Sequence, residues 1–496
     1  MRLVLLLVFL FYFICFFLRG AIVEDPDFGW HIQAGNHILR QGIPYTDPFS
    51  YSMPSYPFVD HEWLSNVFWS LTFNTFGQVP LLAVYTLLAI GSVFLQIIKV
   101  EKKWVLLPLF LAGGSLFDFV GIRTQLLTWF FLSILILVFY HKSFWEKWRF
   151  VLPVLFLFWA NLHGGFGIGL GVLAVMIVGR WLEEKKITRQ SLFILFLCFA
   201  ATLINPFGIR LWWEFWMQLS DSQLRWSIAE WYPAFYFTNF AFWIYFCLSL
   251  SLMFRYWKRY RVTELFLYSF LLFEALASMR NIPIWVIISF AFTLRGLSFL
   301  YHDATSHLYG SNRFTIAYRG FCIIALTLVL PQIAVFFYGV SVEHIYQNSY
   351  PVQAVRYLRR HLPSQQIFSS YDWGGYLIWK LPEKKDFIDG RMPSWRWNAN
   401  KLGESNYAFA DYKKVLSDEV SFSTFAAKYH ITTLLVPAGD LTKPEITFFG
   451  FKITDNSWLG RFLFSWRSFY PVVQEAKKMG WHEVYKDNTA VILEKK

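Results

Sequence analysis

Three carboxylates and a histidine stand close together in the stretch EDPDFGWHIQAG, residues 24–35. Glu24, Asp25 and Asp27 follow directly on a long apolar run, and His31 comes four residues after Asp27. If the segment is helical, His31 lies one turn beyond Asp27. Carboxylates beside an imidazole are suited to general acid–base catalysis at the edge of a membrane. The alternative is an ordinary polar loop without chemistry.

The two aspartates differ in the structural roles open to them. Asp27 is a candidate N-cap for a helix FGWHIQAGNHILRQ that Gly42 ends. Asp25 precedes Pro26 and is expected to be extended rather than helical. Because no capping role explains Asp25, it ranks slightly above Asp27 as the catalytic carboxylate.

The composition around these residues is that of a polytopic membrane protein. Of 496 residues, 56% are hydrophobic and 16% charged, whereas soluble domains are about a quarter charged. The net charge of +12 comes from basic residues in short loops between apolar runs, which indicates membrane topology and not nucleic-acid binding. The four cysteines lie inside apolar runs without metal spacing, so disulfides and cysteine-ligated zinc are not expected.

Eleven apolar runs are candidate membrane spans, since a spanning helix needs about 20 mostly apolar residues. The first run lacks a small-residue cleavage site and is interpreted as a retained helix rather than a signal peptide. Lys and Arg favour the N-terminus and the even-numbered turns, which predicts a cytoplasmic N-terminus and an extracytoplasmic C-terminal portion. The predicted spans are residues 3–19, 78–98, 104–118, 122–141, 149–162, 165–181, 190–205, 236–254, 264–280, 283–300 and 318–340.

Polar motifs cluster at the predicted external ends of these spans. They are DPDFGWH, DHEW, NLHGG, NPFG, AEWYP and MRNIP. Polar groups beside hydrocarbon are costly unless satisfied, so their location on one face predicts one shared aqueous site. Asn-Pro and Gly-Gly are also common helix stops, which is the alternative reading.

The composition changes near Ser341, where short β-like runs begin to alternate with amphipathic helical ones. This alternation predicts a small α/β domain. The chain is therefore divided into a transmembrane domain, residues 1–340, with a first external loop at 21–62, and an extracytoplasmic α/β domain, residues 341–496. Within that domain, FIDGR is interpreted as a strand and turn whose Asp389 and Arg391 face the membrane site.

Taken together, these motifs resemble the GT-C superfamily of polytopic membrane glycosyltransferases. Within it the chain is similar to a bacterial family whose first loop reads D-x-D-x-x-W-H, G-I-P-x-x-D-P-F-S and H-E-W-L, here from Asp25, Gly42 and His61. The resemblance continues through NLHGG, NPFG, EW, RNIP and YDWGGY. More distantly, it extends to protein O-mannosyltransferases and oligosaccharyltransferase catalytic subunits. A fold resemblance specifies a family better than an activity.

The resemblance implies transfer of a sugar from a polyprenyl-phosphate donor to a glycan, lipid or protein acceptor. The expected location is the outer face of a bacterial plasma membrane. On this reading Asp25 or Asp27 is the general base, and His31 orients or tunes it. Attack on the anomeric carbon opposite the departing phosphate inverts the configuration.

The departing phosphate needs a cationic partner, and arginine binds phosphate oxygens in a bidentate manner. Arg280 and its neighbour Asn281 in MRNIP are the first candidates, and Arg123 in GIRTQLL is the second. The alternative for Arg280 is snorkelling to the interface. Glu274, in the same predicted span as Arg280, is offset around the helix axis and is expected to face a partner on another helix.

The remaining candidates are partners for sugar or acceptor groups, each with an alternative as a helix cap, helix stop or interfacial aromatic. They are Trp30, Asp60, His61, Glu62, His163, Asn205, Glu230, Tyr371 and Asp372. For Tyr371 and Asp372 the structural alternative is a strand end and a helix cap, with Gly374 and Gly375 serving close packing.

The first-loop acids, together with His61, are also candidate ligands for Mg²⁺ or Mn²⁺. Their spacing does not decide this, so a metal stays unassigned. Two rival functions remain. A lipid-sugar flippase or transporter needs polar residues along its spans, and apart from Glu274 these spans carry few ionisable groups. A non-catalytic membrane scaffold with an exported domain would leave the first-loop acids dispensable.

Overall fold

The computed structural model describes residues 2–98, 103–186, 188–221, 224–306, 311–343, 350–399, 401–441, 445–448, 451–454 and 468–495. Contacts divide the chain into two compact units. The helical unit comprises Met1–Val23, His61–Ser65 and Thr72–Val342. The α/β unit comprises Glu24–Asp60, Asn66–Leu71 and Glu343–Lys496.

The described residues before 350 are mostly α-helical, joined by short turns of which several are 3₁₀-helical, among them Ala229–Trp231 and Met279–Asn281. The helices are α1 (Arg2–Ile22), α2 (Phe28–Gln41), α3 (Trp63–Phe76), α4 (Gln78–Leu95), α5 (Leu106–Leu116), α6 (Gln125–Tyr140), α7 (Lys142–Trp148), α8 (Leu152–Leu162), α9 (Phe166–Glu184), α10 (Arg189–Thr202), α11 (Arg210–Ser220), α12 (Leu224–Ser227), α13 (Phe240–Arg255), α14 (Val262–Ala277), α15 (Ile282–Ser306) and α16 (Ser311–Glu343).

By length and composition, five helices of the described chain can cross a membrane. They are Arg2–Ile22, Gln78–Leu95, Phe166–Glu184, Met279–Thr305 and Arg313–Gly339. A sixth is counted if Gln125–Tyr140 and Lys142–Leu162, bent by 110°, form one broken span. The predicted eleven spans are not confirmed. Other apolar runs form shorter helices such as Arg189–Thr202, which rises only about 21 Å against a hydrocarbon core of about 30 Å.

Helix α1 is fastened to the segment that leads toward Arg123. The Tyr12 hydroxyl donates to the carbonyl of Phe110 (2.8 Å), and Arg19 donates to the carbonyls of Asp118 and Val120. A Cβ on Gly113 would lie 2.1 Å from the Tyr12 ring, so only glycine allows this approach. The start of the helical unit therefore positions one of its predicted phosphate-binding loops.

The α/β unit contains a four-stranded sheet with the strand order β1-β2-β6-β5. Strands β1 and β2 are parallel, whereas β2 with β6 and β6 with β5 are antiparallel. A separate hairpin is formed by β3 and β4. The elements are α17 (Val352–Arg360), β1 (Gln366–Ser369), α18 (Gly374–Lys380), α19 (Ala408–Leu416), α20 (Phe422–Tyr429), β2 (Ile431–Pro437), β3 (Glu445–Phe448), β4 (Phe451–Thr454), α21 (Tyr470–Lys478), β5 (His482–Lys486) and β6 (Ala490–Glu494).

The first loop contributes to the core of the α/β unit. Met53, Tyr56 and Phe58 are buried in one hydrophobic cluster with residues of the C-terminal segment such as Phe387. The backbone pairs as well, because the N–H of Tyr51 donates to the carbonyl of Asp386 (2.9 Å). The sequence-based division placed residues 21–62 with the transmembrane part, whereas contacts group Glu24–Asp60 with the C-terminal segment. Burial of its apolar side chains accounts for this grouping.

Candidate functional site

Asp25 and Asp27 lie, half-buried, at the N-terminal end of α2. Asp27 occupies the predicted N-cap position, but among the described residues its carboxylate makes no capping hydrogen bond. Instead, Asp25 Oδ1 accepts a hydrogen bond from the backbone N–H of Asp27 (2.9 Å). The Asp25 carboxylate therefore closes this turn, and the reason for ranking Asp25 above Asp27 no longer holds.

Three glycines allow the Asp-Pro-Asp turn to lie directly on the C-terminal segment. A Cβ on Gly390 would be 2.0 Å from Asp27 Oδ1, and one on Gly375 would be 2.3 Å from the carbonyl oxygen of Pro26. In the opposite direction, a Cβ on Gly29 would be 2.3 Å from the carbonyl oxygen of Gly375. Such distances are too short for any side chain. The position of the two carboxylates is thus set by contacts in which glycine is required.

His31 is buried and is held by Asn66 of α3. The ring nitrogen Nδ1 lies within hydrogen-bond distance of Asn66 Oδ1, and Asn66 Nδ2 donates to both carboxylate oxygens of Asp60 (3.0 and 2.8 Å). The imidazole stacks on Trp30 with a centroid distance of 3.7 Å and contacts Trp69 at 4.5 Å. Trp30 is only 5% exposed, so stacking on a sugar would require this ring to become accessible.

A buried ion-pair cluster joins the first loop to the FIDGR segment. Arg391 Nη1 lies 2.8 Å from Asp47 Oδ1, and Arg391 Nη2 lies 2.6 Å from Asp389 Oδ2. Burial alone would raise the pKa of Asp47, but Arg391 and the hydrogen bonds from Ser50 and the Phe49 N–H lower it below the usual range. Asp389 and Arg391 were predicted to face the membrane site. In the structure both side chains are buried and take part in the ion pairs of this cluster.

Asp386 is a third buried carboxyl group beside this cluster. Its Oδ1 accepts from the Ser369 hydroxyl (3.1 Å) and from the N–H of Phe387 (2.8 Å). Among the described residues, its Oδ2 has no hydrogen-bond partner. Burial, together with the nearby charge of Asp389, raises the pKa of Asp386 to about 8. The carboxyl is therefore protonated over most of the physiological range.

This protonation predicts a measurable pH dependence of stability. Between about pH 4 and about pH 8, the folded state holds a proton at Asp386 that the unfolded state has released. Stability therefore falls as pH rises through this window, by at most about 1.4 kcal/mol per pH unit. The neutral variant Asp386→Asn should melt at a higher temperature than wild type near pH 8. This difference should shrink toward pH 5, and a constant difference in melting temperature of the detergent-solubilised full chain would contradict it.

Tyr371 and Asp372 form a 3₁₀ turn before α18. The backbone N–H of Tyr371 donates to the Tyr412 hydroxyl (3.1 Å), and Asp372 is exposed. The N-cap of α18 is Trp373 rather than Asp372, so the predicted capping role of Asp372 is wrong. The predicted close packing of Gly374 is confirmed, since a Cβ there would be 2.5 Å from the Ile388 carbonyl oxygen.

In the helical unit, Glu62 and His163 form a buried cluster. The Thr124 hydroxyl donates to Glu62 Oε1 (2.7 Å), which lies 3.5 Å from His163 Nε2. The N–H of Gly165 donates to His163 Nδ1 (3.0 Å), so the neutral ring carries its proton on Nε2, facing Glu62. His61 lies nearby, with its Nε2 3.8 Å from the same Glu62 oxygen.

A second cluster in the helical unit brings together the two arginines predicted to bind phosphate. Arg123 Nη1 lies 2.9 Å from Glu230 Oε1, and the Arg280 guanidinium lies over the Trp231 ring at 5.5 Å. Burial raises the pKa of Glu230, but the charges of Arg123 and Arg280 outweigh it and the net pKa is lowered. Glu230, predicted as a sugar partner, is thus the counter-ion of Arg123. The two arginines share Glu230 as a neighbouring carboxylate, and both of their charges act on it.

The asparagines of the predicted motifs contribute mainly to local structure. Asn161 of NLHGG accepts from the Trp63 indole (2.8 Å) and donates to the carbonyl of Ile204 (2.9 Å), which ties three polar motifs together. The side chain of Asn205 accepts from the N–H of Phe207 (2.8 Å) and shapes the NPFG turn. Asn281 donates to Glu274 (3.3 Å), which gives Glu274 a partner close in sequence.

The predicted cation ligands do not assemble into a metal site in the part of the chain that is described. No group of three or more His, Cys, Asp or Glu side chains there is placed to hold an ion. The Asp60 carboxylate accepts from Asn66, and Glu62 accepts from Thr124.

Three side chains that sequence patterns did not single out hold predicted site residues in place: Asn66 contacts His31, Thr124 donates to Glu62, and Thr128 contacts His163. The Thr128 hydroxyl lies 2.7 Å from His163 Nδ1. Thr128 is a single polar side chain within an apolar stretch, and Asn66, next to Ser65, lies in a mostly apolar helix. That pattern was the available signal, because a polar group beside hydrocarbon is costly unless it has a partner.

One solved structure of similar fold is the archaeal oligosaccharyltransferase AglB from Archaeoglobus fulgidus, in complex with an inhibitory peptide and a dolichol-phosphate. The match covers 92% of this chain and 74% of that chain, with a TM-score of 0.58 and 11% sequence identity. No protein-family model and no curated protein sequence matches the chain at a significant level. The likeness and the apolar helices support a membrane protein whose fold is similar to that of AglB. At this identity the likeness shows the fold alone.

Proposed function

We propose that the protein is a membrane glycosyltransferase of the GT-C type that transfers a sugar from a polyprenyl-phosphate donor to an acceptor. The observation that carries the proposal is the fold, which follows AglB over 92% of the chain. The AglB structure contains an inhibitory peptide and a dolichol-phosphate, and the dolichol-phosphate is of the same class as the lipid-phosphate carrier proposed for this chain. The topology proposed with this function is eleven spans, a cytoplasmic N-terminus and reaction at the extracytoplasmic face.

The acidic turn supports the chemical step. Asp25 or Asp27 removes the proton from an acceptor hydroxyl, whose oxygen forms a bond to the anomeric carbon. The bond from that carbon to the phosphate oxygen breaks, and polyprenyl phosphate leaves with the electron pair. Attack from the face opposite the phosphate inverts the anomeric configuration. Both carboxylates are half-buried, and their turn packs closely against Gly375 and Gly390, which restricts their motion.

The cluster of Arg123, Glu230 and Arg280 supports binding of the donor phosphate. An arginine pair offers several N–H donors to phosphate oxygens, and Glu230 keeps one of the two guanidinium groups oriented through a 2.9 Å contact. Trp231 places the second guanidinium by cation–π contact at 5.5 Å. We assign donor-phosphate binding to Arg123 and Arg280, with Asn281 beside them.

The test is sugar transfer by the purified full-length chain in lipid, with a panel of polyprenyl-phosphate sugars as donors. A general base contributes about 10²- to 10⁴-fold to such a step, so Asp25→Asn or Asp27→Asn should lose activity on that scale while the protein stays folded. Glu383→Gln, at an exposed carboxylate of the same α/β unit, is the matched control and should keep full activity.

Two results would overturn the proposal. In the first, both aspartate variants retain wild-type transfer, which is the outcome expected for a membrane scaffold. In the second, wild type transfers no sugar from any donor although mass spectrometry finds lipid-linked sugar bound to it, which is the outcome expected for a flippase or transporter.

A further inference from the structure

The buried chain of side chains Asp60–Asn66–His31 has a direction that its hydrogen bonds determine. Both carboxylate oxygens of Asp60 lie within 3.0 Å of the same Asn66 nitrogen. Both oxygens accept a hydrogen bond from this nitrogen, so the Asn66 atom facing Asp60 is the NH₂ group. The other terminal atom of Asn66, which faces His31 Nδ1, is therefore the carbonyl oxygen. A carbonyl oxygen only accepts, so His31 Nδ1 carries a proton.

The neutral imidazole of His31 is thereby held in one tautomer, with Nε2 as its acceptor and basic atom. These three hydrogen-bonded side chains are almost inaccessible to water, since the exposed fractions are 4% for His31, 0% for Asn66 and 2% for Asp60. In such surroundings a charge-assisted hydrogen bond is strong and the reversed arrangement leaves buried groups unpaired. Asp60 therefore acts on His31 through Asn66.

The backbone around this chain is built for a close approach of α2 to α3. A Cβ on Gly35 would lie 2.0 Å from the backbone carbonyl oxygen of Asn66 and 2.6 Å from the Cβ of Ser70. One helical turn further along, the Ser70 hydroxyl donates to Asn36 Oδ1 (2.7 Å). Trp30 and Trp69 contact the imidazole and restrict its rotation. The ring is thus fixed in position as well as in tautomer.

We propose that Asn66 and Asp60 are positioning residues that hold His31 as an Nδ1–H imidazole, and that this fixed ring keeps the start of α2, with Asp27, in the arrangement used for the acid–base step. The inference rests on the proposed glycosyl transfer. His31 is linked to the acidic turn through the backbone, because its N–H donates to the carbonyl of Asp27 (3.2 Å). A single tautomer keeps the ring, and the helix start that carries it, in one arrangement during turnover.

The tautomer can be read directly from ¹⁵N chemical shifts of the full-length chain labelled with [¹⁵N]histidine. The chain has 11 histidines, and a His31→Gln spectrum identifies the signals of this ring. Wild type should show protonated Nδ1 and unprotonated Nε2. Asn66→Leu, which removes the acceptor, and Asp60→Asn, which permits the amide to reverse, should both show a mixture. Asn36→Leu breaks the neighbouring bond between the same segments and should leave the signals unchanged.

Activity provides the second readout in the same variants. Asn66→Leu should lower kcat by about 10²-fold or more with little change in KM, since no substrate contact is removed. A wild-type ring protonated at Nε2, or an Asn66→Leu spectrum identical to wild type, would overturn the tautomer assignment. Unchanged kcat in Asn66→Leu would overturn its role in transfer. If wild type itself transfers no sugar, the proposed function fails while the spectra still decide the tautomer.

Discussion

The substitution Arg391→Met should strongly destabilise the α/β unit. Arg391 is the shared counter-ion of Asp47 and Asp389, at 2.8 and 2.6 Å, and its guanidinium is enclosed by aromatic rings such as Trp395 at 5.3 Å. Removing one partner of a buried ion pair leaves uncompensated charge and costs about 3–5 kcal/mol. The melting temperature of the full chain in detergent is expected to fall on the order of 10 °C.

The charge argument can be separated from simple loss of packing. Arg396→Met changes an exposed arginine of the same segment and should leave the melting temperature nearly unchanged. Adding Asp389→Asn to Arg391→Met removes one of the stranded charges and should restore part of the loss. If the double variant is no more stable than Arg391→Met alone, packing and not charge explains the effect, and the account of this cluster is wrong.

The variant Gly375→Ala should lose about 10² in sugar transfer under the proposed function. Its Cβ would lie 2.3 Å from the carbonyl oxygen of Pro26, a backbone atom that cannot rotate away. Pro26 stands between Asp25 and Asp27, so both carboxylates must shift with it. A displacement of about 1 Å at a catalytic group is enough to cost about 10²-fold in rate.

Gly439→Ala is the matched control, because nothing among the described residues lies within 4 Å of the added Cβ. It should keep wild-type transfer and stability. The substitution Gly29→Ala should act like Gly375→Ala, because it disturbs the same close approach of α2 to α18 from the other side. Its Cβ would lie 2.3 Å from the Gly375 carbonyl oxygen. Since both changes disturb one contact, their combined effect should be less than additive. Wild-type transfer by Gly375→Ala would show that this contact does not position the aspartates.

The acidic turn shows what could be anticipated at the candidate site. The carboxylates of Asp25 and Asp27 stand out because they follow a long apolar run, and their types alone indicate acid–base chemistry. Which of them shapes the turn could not be anticipated. Asp27 has the N-cap position, yet the Asp25 side chain makes the hydrogen bond. The direction of each carboxylate depends on the backbone angles of the turn and on the close approach of Gly390 to Asp27.

Sequence patterns could not identify ion-pair partners that lie far apart in the chain. Asp47 and Arg391 are separated by 344 positions, and Arg123 and Glu230 by 107. Charge alone does not say which acid pairs with which arginine, because a pair forms only where packing brings two side chains together and excludes water. For this reason the sequence predicted that Arg391 faces the membrane site, whereas the structure shows it buried and paired with Asp47 and Asp389.

The sequence by itself determined the class of protein, because apolar runs and charge patterning are local properties that the bilayer selects. It also indicated an α/β segment after Ser341 and the close packing at Gly374 and Gly375, which the structure confirms. Only the tertiary structure decided how those apolar runs divide into helices and which polar side chains are paired. It also decided that the first loop completes the core of the α/β unit. The physical reason is that hydrophobicity is read residue by residue, whereas burial and hydrogen bonding depend on segments that meet only after folding.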